Sequence, residues 1–270
     1  MHGDHHRTWL PQIIGHRGAS AIAPENTRPA FERALADGAD GLELDLQLTR
    51  DDVVVVFHDH KLAKLGPQTR RMRDYTWPEL VWRDAGIWKD ARYKGTSLMT
   101  LEEVLASWAG TTQLLLEIKA HGRNRRGSHD RLLAEHVAQL LLTLSDERLA
   151  KIKVLSFSDD VLTSLSQFCQ AAGRPVPQLV RNLVNPSELR KVTRLQMAHY
   201  SAMCVDINAF GPEDVARIHR ADLPLYAYTV DSWQQIQHAR ALSCCLLIAN
   251  DPGQVRERVA ALAADKRATA

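Results

Sequence analysis

The sequence has little of several features that mark specialised proteins. Only four of its 270 residues are cysteines. None of them has the spacing of a metal site, and the adjacent Cys244 and Cys245 are poorly placed for a disulfide. No apolar run reaches the roughly 18–20 residues that span a bilayer, and the N-terminus lacks the apolar core of a secretion signal. These absences predict a cytoplasmic protein with no stable membrane insertion and with small, buried cysteines.

A strong charge of one sign is also missing. Lys and Arg total 34 against 32 for Asp and Glu, so the net charge of +2 gives no reason to expect a nucleic acid or an anionic membrane as partner. The sequence contains no P-loop, Rossmann glycine fingerprint, Gly-x-Ser-x-Gly elbow or His-Glu-x-x-His. With 45% hydrophobic and 24% charged residues, the composition is that of a globular protein, and the oligomeric state is left open.

Short aliphatic segments alternate with amphipathic ones along most of the chain. Eight strand–helix pairs over about 250 residues predict a (β/α)8 TIM barrel, although a doubly wound open sheet would show the same alternation. Strands are predicted at residues 12–16, 41–47, 114–118, 153–157, 178–180, 203–207, 225–230 and 245–248. Helices are predicted at residues 27–36, 129–143, 159–171, 186–196, 212–220 and 232–241, and from about residue 100.

An irregular stretch at about residues 60–99 interrupts this alternation. It follows an extra strand-like run at 53–57 and is too long for an ordinary connection, which takes about 2–6 residues. It holds three of the six tryptophans, Trp77, Trp82 and Trp88, and we expect these aromatics to build the core of a small subdomain rather than to stack on a ligand. The sequence therefore predicts a small insertion after the second strand. The predicted domain limits are a flexible tail at 1–11, the barrel at 12–256 and a C-terminal helix or tail at 257–270.

Three acidic residues lie within otherwise apolar predicted strands. Glu43 and Asp45 are two apart on the second strand, so they share a face, and Glu117 ends the next barrel strand. Buried carboxylates need partners, which could be Lys or Arg, unless the strand faces solvent. Neighbouring barrel strands would bring all three together, and oxygen ligands without a thiolate favour Mg²⁺ or Ca²⁺ over Zn²⁺. We therefore predict a site for one divalent cation.

Basic and imidazole side chains fall at the same ends of the predicted strands. His16 and Arg17 end the first strand, and His58 follows the extra run. Two imidazoles could serve as the base and the acid of phosphodiester cleavage, although strand-end histidines are often structural. Arg17 and Lys119 have the charge to bind phosphate, and Lys119 could instead, or as well, pair with the acidic cluster.

The motifs that carry these residues resemble those of the glycerophosphodiester phosphodiesterases. The resemblance runs from about residue 13 to residue 252 and is most specific in its N-terminal part. Its motifs lie at residues 14–19, 24–27, 41–49, 56–59, 100–105 and 116–119, with looser similarity at 228–231 and 250–252.

The resemblance implies an activity and a role for each candidate residue. It implies a TIM barrel in which Glu43, Asp45 and Glu117 hold a divalent cation while His16 and His58 act in acid–base catalysis. The implied substrates are glycerophosphodiesters such as glycerophosphocholine or glycerophosphoethanolamine, which are hydrolysed to sn-glycerol 3-phosphate and an alcohol. Family members without a signal are cytoplasmic.

Some residues depart from the family pattern. Asp231 stands where Asn is typical, Asn250 where Thr is typical, and Asp51-Asp52 replaces a turn that usually carries Gly; the start of the insertion also differs. We expect none of these to touch the metal or the histidines, and we expect them to bear on substrate preference instead. Two alternatives stay open: a lysophospholipase D whose acyl groove is formed by the insertion, and a barrel that binds phosphodiesters without turnover.

Overall fold

The computed structural model describes residues 9–66, 70–120 and 128–268, so most of the predicted tail lies outside the described residues. Ten strands are found there. They are β1 Gln12–His16, β2 Gly41–Leu48, β3 Val54–Val56, β4 Met99–Thr100, β5 Gln113–Ile118, β6 Ile152–Ser156, β7 Gln178–Leu183, β8 Ala202–Asp206, β9 Leu225–Tyr228 and β10 Leu246–Ala249.

Eight of these strands form a closed parallel barrel. The order is β1-β10-β9-β8-β7-β6-β5-β2, and pairing of β1 with β2 closes the ring. The predicted TIM barrel is therefore confirmed, and closure excludes the open sheet. The largest difference from the predicted strands is in β7, which continues for three residues beyond Val180. Its polar residues Arg181 and Asn182 are buried within the strand, where we had expected a loop.

Helices surround the barrel. They are α1 Arg28–Ala36, α2 Trp77–Leu80, α3 Leu101–Trp108, α4 Ser128–Leu142, α5 Asp146–Leu149, α6 Asp159–Ala171, α7 Pro186–Lys191, α8 Arg194–Met197, α9 Pro212–Arg220, α10 Trp233–Ala241 and α11 Pro252–Ala268. The prediction of a single helix at 186–196 is wrong, because this segment forms the two helices α7 and α8. Thr193 accepts a hydrogen bond from the backbone N–H of Gln196 and begins a new helix there. None of the described helices has the length and apolarity to cross a membrane.

Alternation of side chains along β2 separates the two layers of the fold. Leu42, Leu44 and Leu46 belong to the large core between the barrel and its helices. Glu43 and Asp45 lie between them and therefore point into the barrel. The part of the barrel interior nearer the amino ends of the strands is filled by a separate apolar cluster. That cluster contains Ile14, Leu115, Leu155, Val180, Ala202, Cys204, Tyr226, Leu246 and Ile248.

The insertion after β2 begins as an antiparallel ribbon, in which β3 pairs with both β2 and β4. Its core is mainly aliphatic, because Val55, Leu62, Leu65, Met72, Leu80, Ala85 and Leu98 are buried together with the single aromatic Phe57. The expectation that tryptophans build this core is met only by Trp77, which packs against its edge. Trp82 is 90% exposed, and the ring of Trp88 lies 4.7 Å from the Lys64 ammonium.

A glycine directly after β1 allows the loop that follows His16 and Arg17 to pack against α1. Gly18 has a φ of +83°, and a Cβ added there would lie 2.5 Å from the backbone carbon of Ala30. Gly95, in the insertion, has a similar φ of +87° with no atom within 4 Å of the added Cβ. The two glycines therefore share a backbone conformation and differ in the space around them.

We predict that Gly18→Ala lowers the free energy of unfolding by about 3 kcal/mol and Gly95→Ala by about 1 kcal/mol. The common part of the loss is the strain of a left-handed alanine, and the excess at position 18 is the clash with the backbone of α1. Urea titration of both variants gives the two values. Equal losses would show that close packing against α1 does not constrain this loop.

Candidate active site

The three predicted metal ligands meet at the carboxyl end of the barrel. Asp45 of β2 is in register with Glu117 of β5, and Glu43 lies two residues before Asp45 on the same face. Each residue offers a carboxylate oxygen within 4.8 Å of the others, and all three residues are buried. The position is the face on which TIM barrels carry their active sites.

Two basic side chains neutralise part of this acidic cluster. The Lys119 ammonium lies 2.7 Å from Asp45 Oδ1 and 2.6 Å from Glu117 Oε1, and Arg17 Nε lies 3.1 Å from Asp45 Oδ2. Burial acts to raise the pKa of Asp45, but contact with Lys119 and Arg17 outweighs burial and lowers it. Asp45 and Glu117 raise the pKa of Lys119, although burial acts to lower it. Asp45 is therefore ionised in the folded protein.

Glu43 has the least compensation of the three carboxylates. It accepts a hydrogen bond from the backbone N–H of Arg17 at 3.1 Å, and its only ion pair within the described residues is a 3.9 Å contact with His16 Nε2. Burial, reinforced by the neighbouring Asp45 and Glu117, raises the pKa of Glu43 well above its usual range. An ionised Glu43 would therefore carry a charge that the neighbouring described side chains do not balance.

His16 ends β1 directly opposite Glu43 in the register of the sheet. Its Nδ1 lies 2.7 Å from Oδ1 of Asn250, the residue after β10. Burial, followed by the charge of Arg17, lowers the pKa of His16 to about 4, so the ring is neutral near pH 7. The expectation that no departure from the family pattern touches a histidine is therefore wrong for Asn250.

His58 reaches the same end of the barrel from the insertion. The side chain of Gln47 on β2 donates hydrogen bonds to the backbone carbonyls of Phe57 and Asp59 at 2.9 and 3.0 Å, and so fixes the segment that carries His58. His58 Nδ1 lies 2.9 Å from Asp59 Oδ1, and Lys64 pairs with the other oxygen of Asp59 at 3.0 Å. Burial lowers the pKa of His58, and Asp45 opposes this effect.

Three asparagines complete the site, and none of them was singled out as a site residue from the sequence. Asn26 donates to Asp45 Oδ2 at 2.8 Å. Asn182 donates to Glu117 Oε2 at 3.1 Å, and Asn250 contacts His16. Asn26 lies in a family-like motif, which gave a signal. Asn182 gave none, because its strand was predicted to end before it.

The donor set fits a hard divalent cation. It consists of carboxylate oxygens, and no cysteine is among the described residues that form this cluster. The Oδ1 atom of Asn182 is buried beside Glu117 and accepts no hydrogen bond from the described residues. A bound cation, or the hydroxyl groups of a ligand, would supply partners for the Glu43 carboxylate and for this amide oxygen. The group Glu25, His58 and Asp59 also converges, but Lys64 already pairs with both of its carboxylates.

A closed parallel barrel with acidic and imidazole side chains at its carboxyl end has the architecture of a TIM-barrel enzyme. The chain belongs to the glycerophosphoryl diester phosphodiesterase family, whose family model matches residues 16–254. The family predicted from the sequence motifs is thereby confirmed. The family and its relatives are named for the predicted enzyme class, glycerophosphodiester phosphodiesterase.

Relatives of the chain include proteins of similar length. It is 29% identical to a glycerophosphodiester phosphodiesterase of Caldanaerobacter subterraneus over 89% of this chain and 94% of that protein. It is 43% identical to a putative glycerophosphodiester phosphodiesterase of Bacillus subtilis, although that match spans 40% of this chain and about half (45%) of the relative.

Solved structures share the fold. A phosphodiesterase of Oleispira antarctica in complex with the product sn-glycerol-3-phosphate has a TM-score of 0.79 at 24% identity, covering 93% of this chain and 97% of that one. A putative glycerophosphoryl diester phosphodiesterase of Silicibacter pomeroyi has a TM-score of 0.80 at 23% identity, covering 95% of each chain.

We predict that Lys119→Met, measured in chelator, lowers the free energy of unfolding by about 3 kcal/mol, because it leaves the buried carboxylates without the lysine ammonium that pairs with them. Lys153→Met is the matched control. Lys153 is buried in the barrel wall, but its ammonium donates to the neutral Gln113 Oε1 at 2.8 Å, and burial lowers its pKa. Its replacement should be neutral or stabilising. A similar loss in both variants would contradict this account of the acidic cluster.

Proposed function

We propose that the chain hydrolyses glycerophosphodiesters, such as glycerophosphocholine and glycerophosphoethanolamine, to sn-glycerol 3-phosphate and an alcohol in a metal-dependent reaction. The observation that carries the proposal is the convergence of Glu43, Asp45 and Glu117 beside His16 and His58 at one barrel end. Family membership and the glycerol phosphate bound to the Oleispira neighbour support the substrate class.

Glu43, Asp45 and Glu117 would hold one Mg²⁺ or Ca²⁺. When bound, such a cation supplies Lewis-acid charge for a phosphate oxygen and orients the substrate. Arg17 and Lys119 point into the same space and offset the remaining charge of the phosphodiester. Asn182 Oδ1, which accepts no hydrogen bond from the part of the chain that the structure describes, would accept one from a hydroxyl group of the glycerol.

The two imidazoles then divide the proton transfers. His16 is neutral near pH 7, so its ring can accept the proton of the attacking water molecule. His58 donates a proton to the leaving alkoxide, and Asp59 at 2.9 Å stabilises the charged ring from which that proton comes. One group takes a proton and the other gives one, so the pair is restored by a single proton exchange with solvent.

We predict that His16→Ala and His58→Ala each lower kcat for glycerophosphocholine by about 10²–10⁴-fold, which is the contribution of a positioned acid or base. Steady-state hydrolysis in a coupled assay for glycerol phosphate gives the values. His199→Ala, on an exposed residue after α8, is the control and should keep wild-type turnover. Near wild-type kcat for either site variant would remove that residue from the mechanism.

We predict that EDTA abolishes activity, that Mg²⁺ or Ca²⁺ restores it, and that the restoring ion raises the midpoint of thermal unfolding. Glu43→Gln should lose the ion-induced rise while its metal-free form is no less stable than wild type, because it removes a poorly compensated buried charge. Glu257→Gln, on the exposed side of α11, is the matched control. Full activity in excess EDTA with no metal in the protein would overturn the carboxylate assignment.

The two alternatives stay predictions and are answered by one comparison of substrates. Lysophosphatidylcholine hydrolysed faster than glycerophosphocholine would favour a lysophospholipase D, and binding without product would favour a barrel that only binds. Cytoplasmic location also stays a prediction.

A further inference from the structure

Asn250 is held from both sides by groups that determine which way its amide points. Its Oδ1 lies 2.7 Å from His16 Nδ1 and accepts the Ser20 hydroxyl at 2.9 Å. Its Nδ2 donates to Asp231 Oδ2 at 2.6 Å, and its backbone N–H donates to Asp231 Oδ1 at 2.7 Å. Asp231 therefore accepts hydrogen bonds from Asn250 through both of its carboxylate oxygens.

This arrangement has one consistent assignment of hydrogens. An ionised carboxylate only accepts hydrogen bonds, so the side-chain NH₂ of Asn250 must face Asp231 and its carbonyl oxygen must face the ring. A carbonyl oxygen also only accepts, so the nearby ring nitrogen must carry a hydrogen. A flipped amide would place two acceptors against each other at Asp231, whereas the Ser20 hydroxyl can pair with either end of the amide.

We propose that Asp231 and Asn250 are positioning residues that hold His16 in the tautomer with its proton on Nδ1, and so direct the Nε2 lone pair at the carboxylate cluster. The proposal rests on the proposed function, because it names the atom through which His16 exchanges protons with substrate.

The alternative tautomer is the unproductive one. With its proton on Nε2, the ring would turn the lone pair of Nδ1 towards the carbonyl oxygen of Asn250 at 2.7 Å and could not accept a proton on the substrate side. Glu43 does not select that tautomer, because its oxygen is 3.9 Å from Nε2, beyond hydrogen-bond distance. The short contact with Asn250 therefore decides the position of the hydrogen.

Substitutions at positions 231 and 250 separate this role from a structural one. Asp231→Asn replaces the acceptor-only carboxylate by an amide that pairs with either orientation of Asn250. Asn250→Thr keeps one hydroxyl group, whose oxygen can accept from His16 while its hydrogen donates to Asp231, whereas Asn250→Val has the same shape as threonine without that group. Asp222→Asn, on an exposed residue after α9, is the control for loss of an aspartate charge.

The readouts are the ¹⁵N chemical shifts of the His16 ring in metal-free protein at about pH 8, together with kcat and KM. The His16→Gln variant assigns the signals. In the wild type, the Asn250→Thr and the Asp222→Asn proteins, Nδ1 should be the protonated nitrogen. In Asp231→Asn and Asn250→Val we expect signal from the other tautomer and a fall in kcat of about 10–100-fold at nearly constant KM.

A wild-type ring with its proton on Nε2 would overturn the proposal. So would unchanged ring shifts and unchanged kcat in both Asp231→Asn and Asn250→Val. Because the shifts are measured without substrate, a wild-type protein that shows the expected tautomer but cleaves no phosphodiester would overturn the proposed function and keep the assignment of Asp231 and Asn250.

Discussion

Three carboxylates share the interior of one barrel end, and keeping them there requires compensation that the surrounding structure supplies only in part. Lys119 and Arg17 compensate Asp45, and Lys119 also reaches Glu117. Among the described residues, the partners of Glu43 are a backbone N–H and a distant imidazole. With all three carboxylates ionised, one corner of the site carries negative charge that the described side chains do not balance, and this charge favours binding of a cation and, with it, an anionic phosphodiester.

The barrel and its insertion each contribute one of the two candidate histidines. His16 belongs to β1 and is fixed by a residue that follows β10, so its geometry depends on closure of the ring. His58 belongs to the insertion and is fixed through Gln47 and Asp59. Contacts such as that of Lys89 with the Ser20 carbonyl, at 2.8 Å, join the insertion to the rim of the barrel. The insertion is therefore part of the site.

The sequence by itself determined the barrel, the acidic cluster and the candidate histidines, because these depend on local signals. Side chains two apart on a strand share a face, which put Glu43 and Asp45 together, and a strand followed by a helix, repeated along the chain, predicts parallel strands whose carboxyl ends meet. The same local reasoning failed where polar residues continue a strand, as at Asn182, and where a capping residue divides a helix, as at Thr193.

Only the tertiary structure decided which polar groups hold the site in place. His16 and Asn250 are 234 positions apart and touch because β1 and β10 are neighbours in the closed ring. The orientation of the Asn250 amide is set in turn by Asp231, a third distant residue. Hydrogen bonds between groups so far apart leave no periodic trace in the sequence, since their geometry arises from packing of the whole barrel.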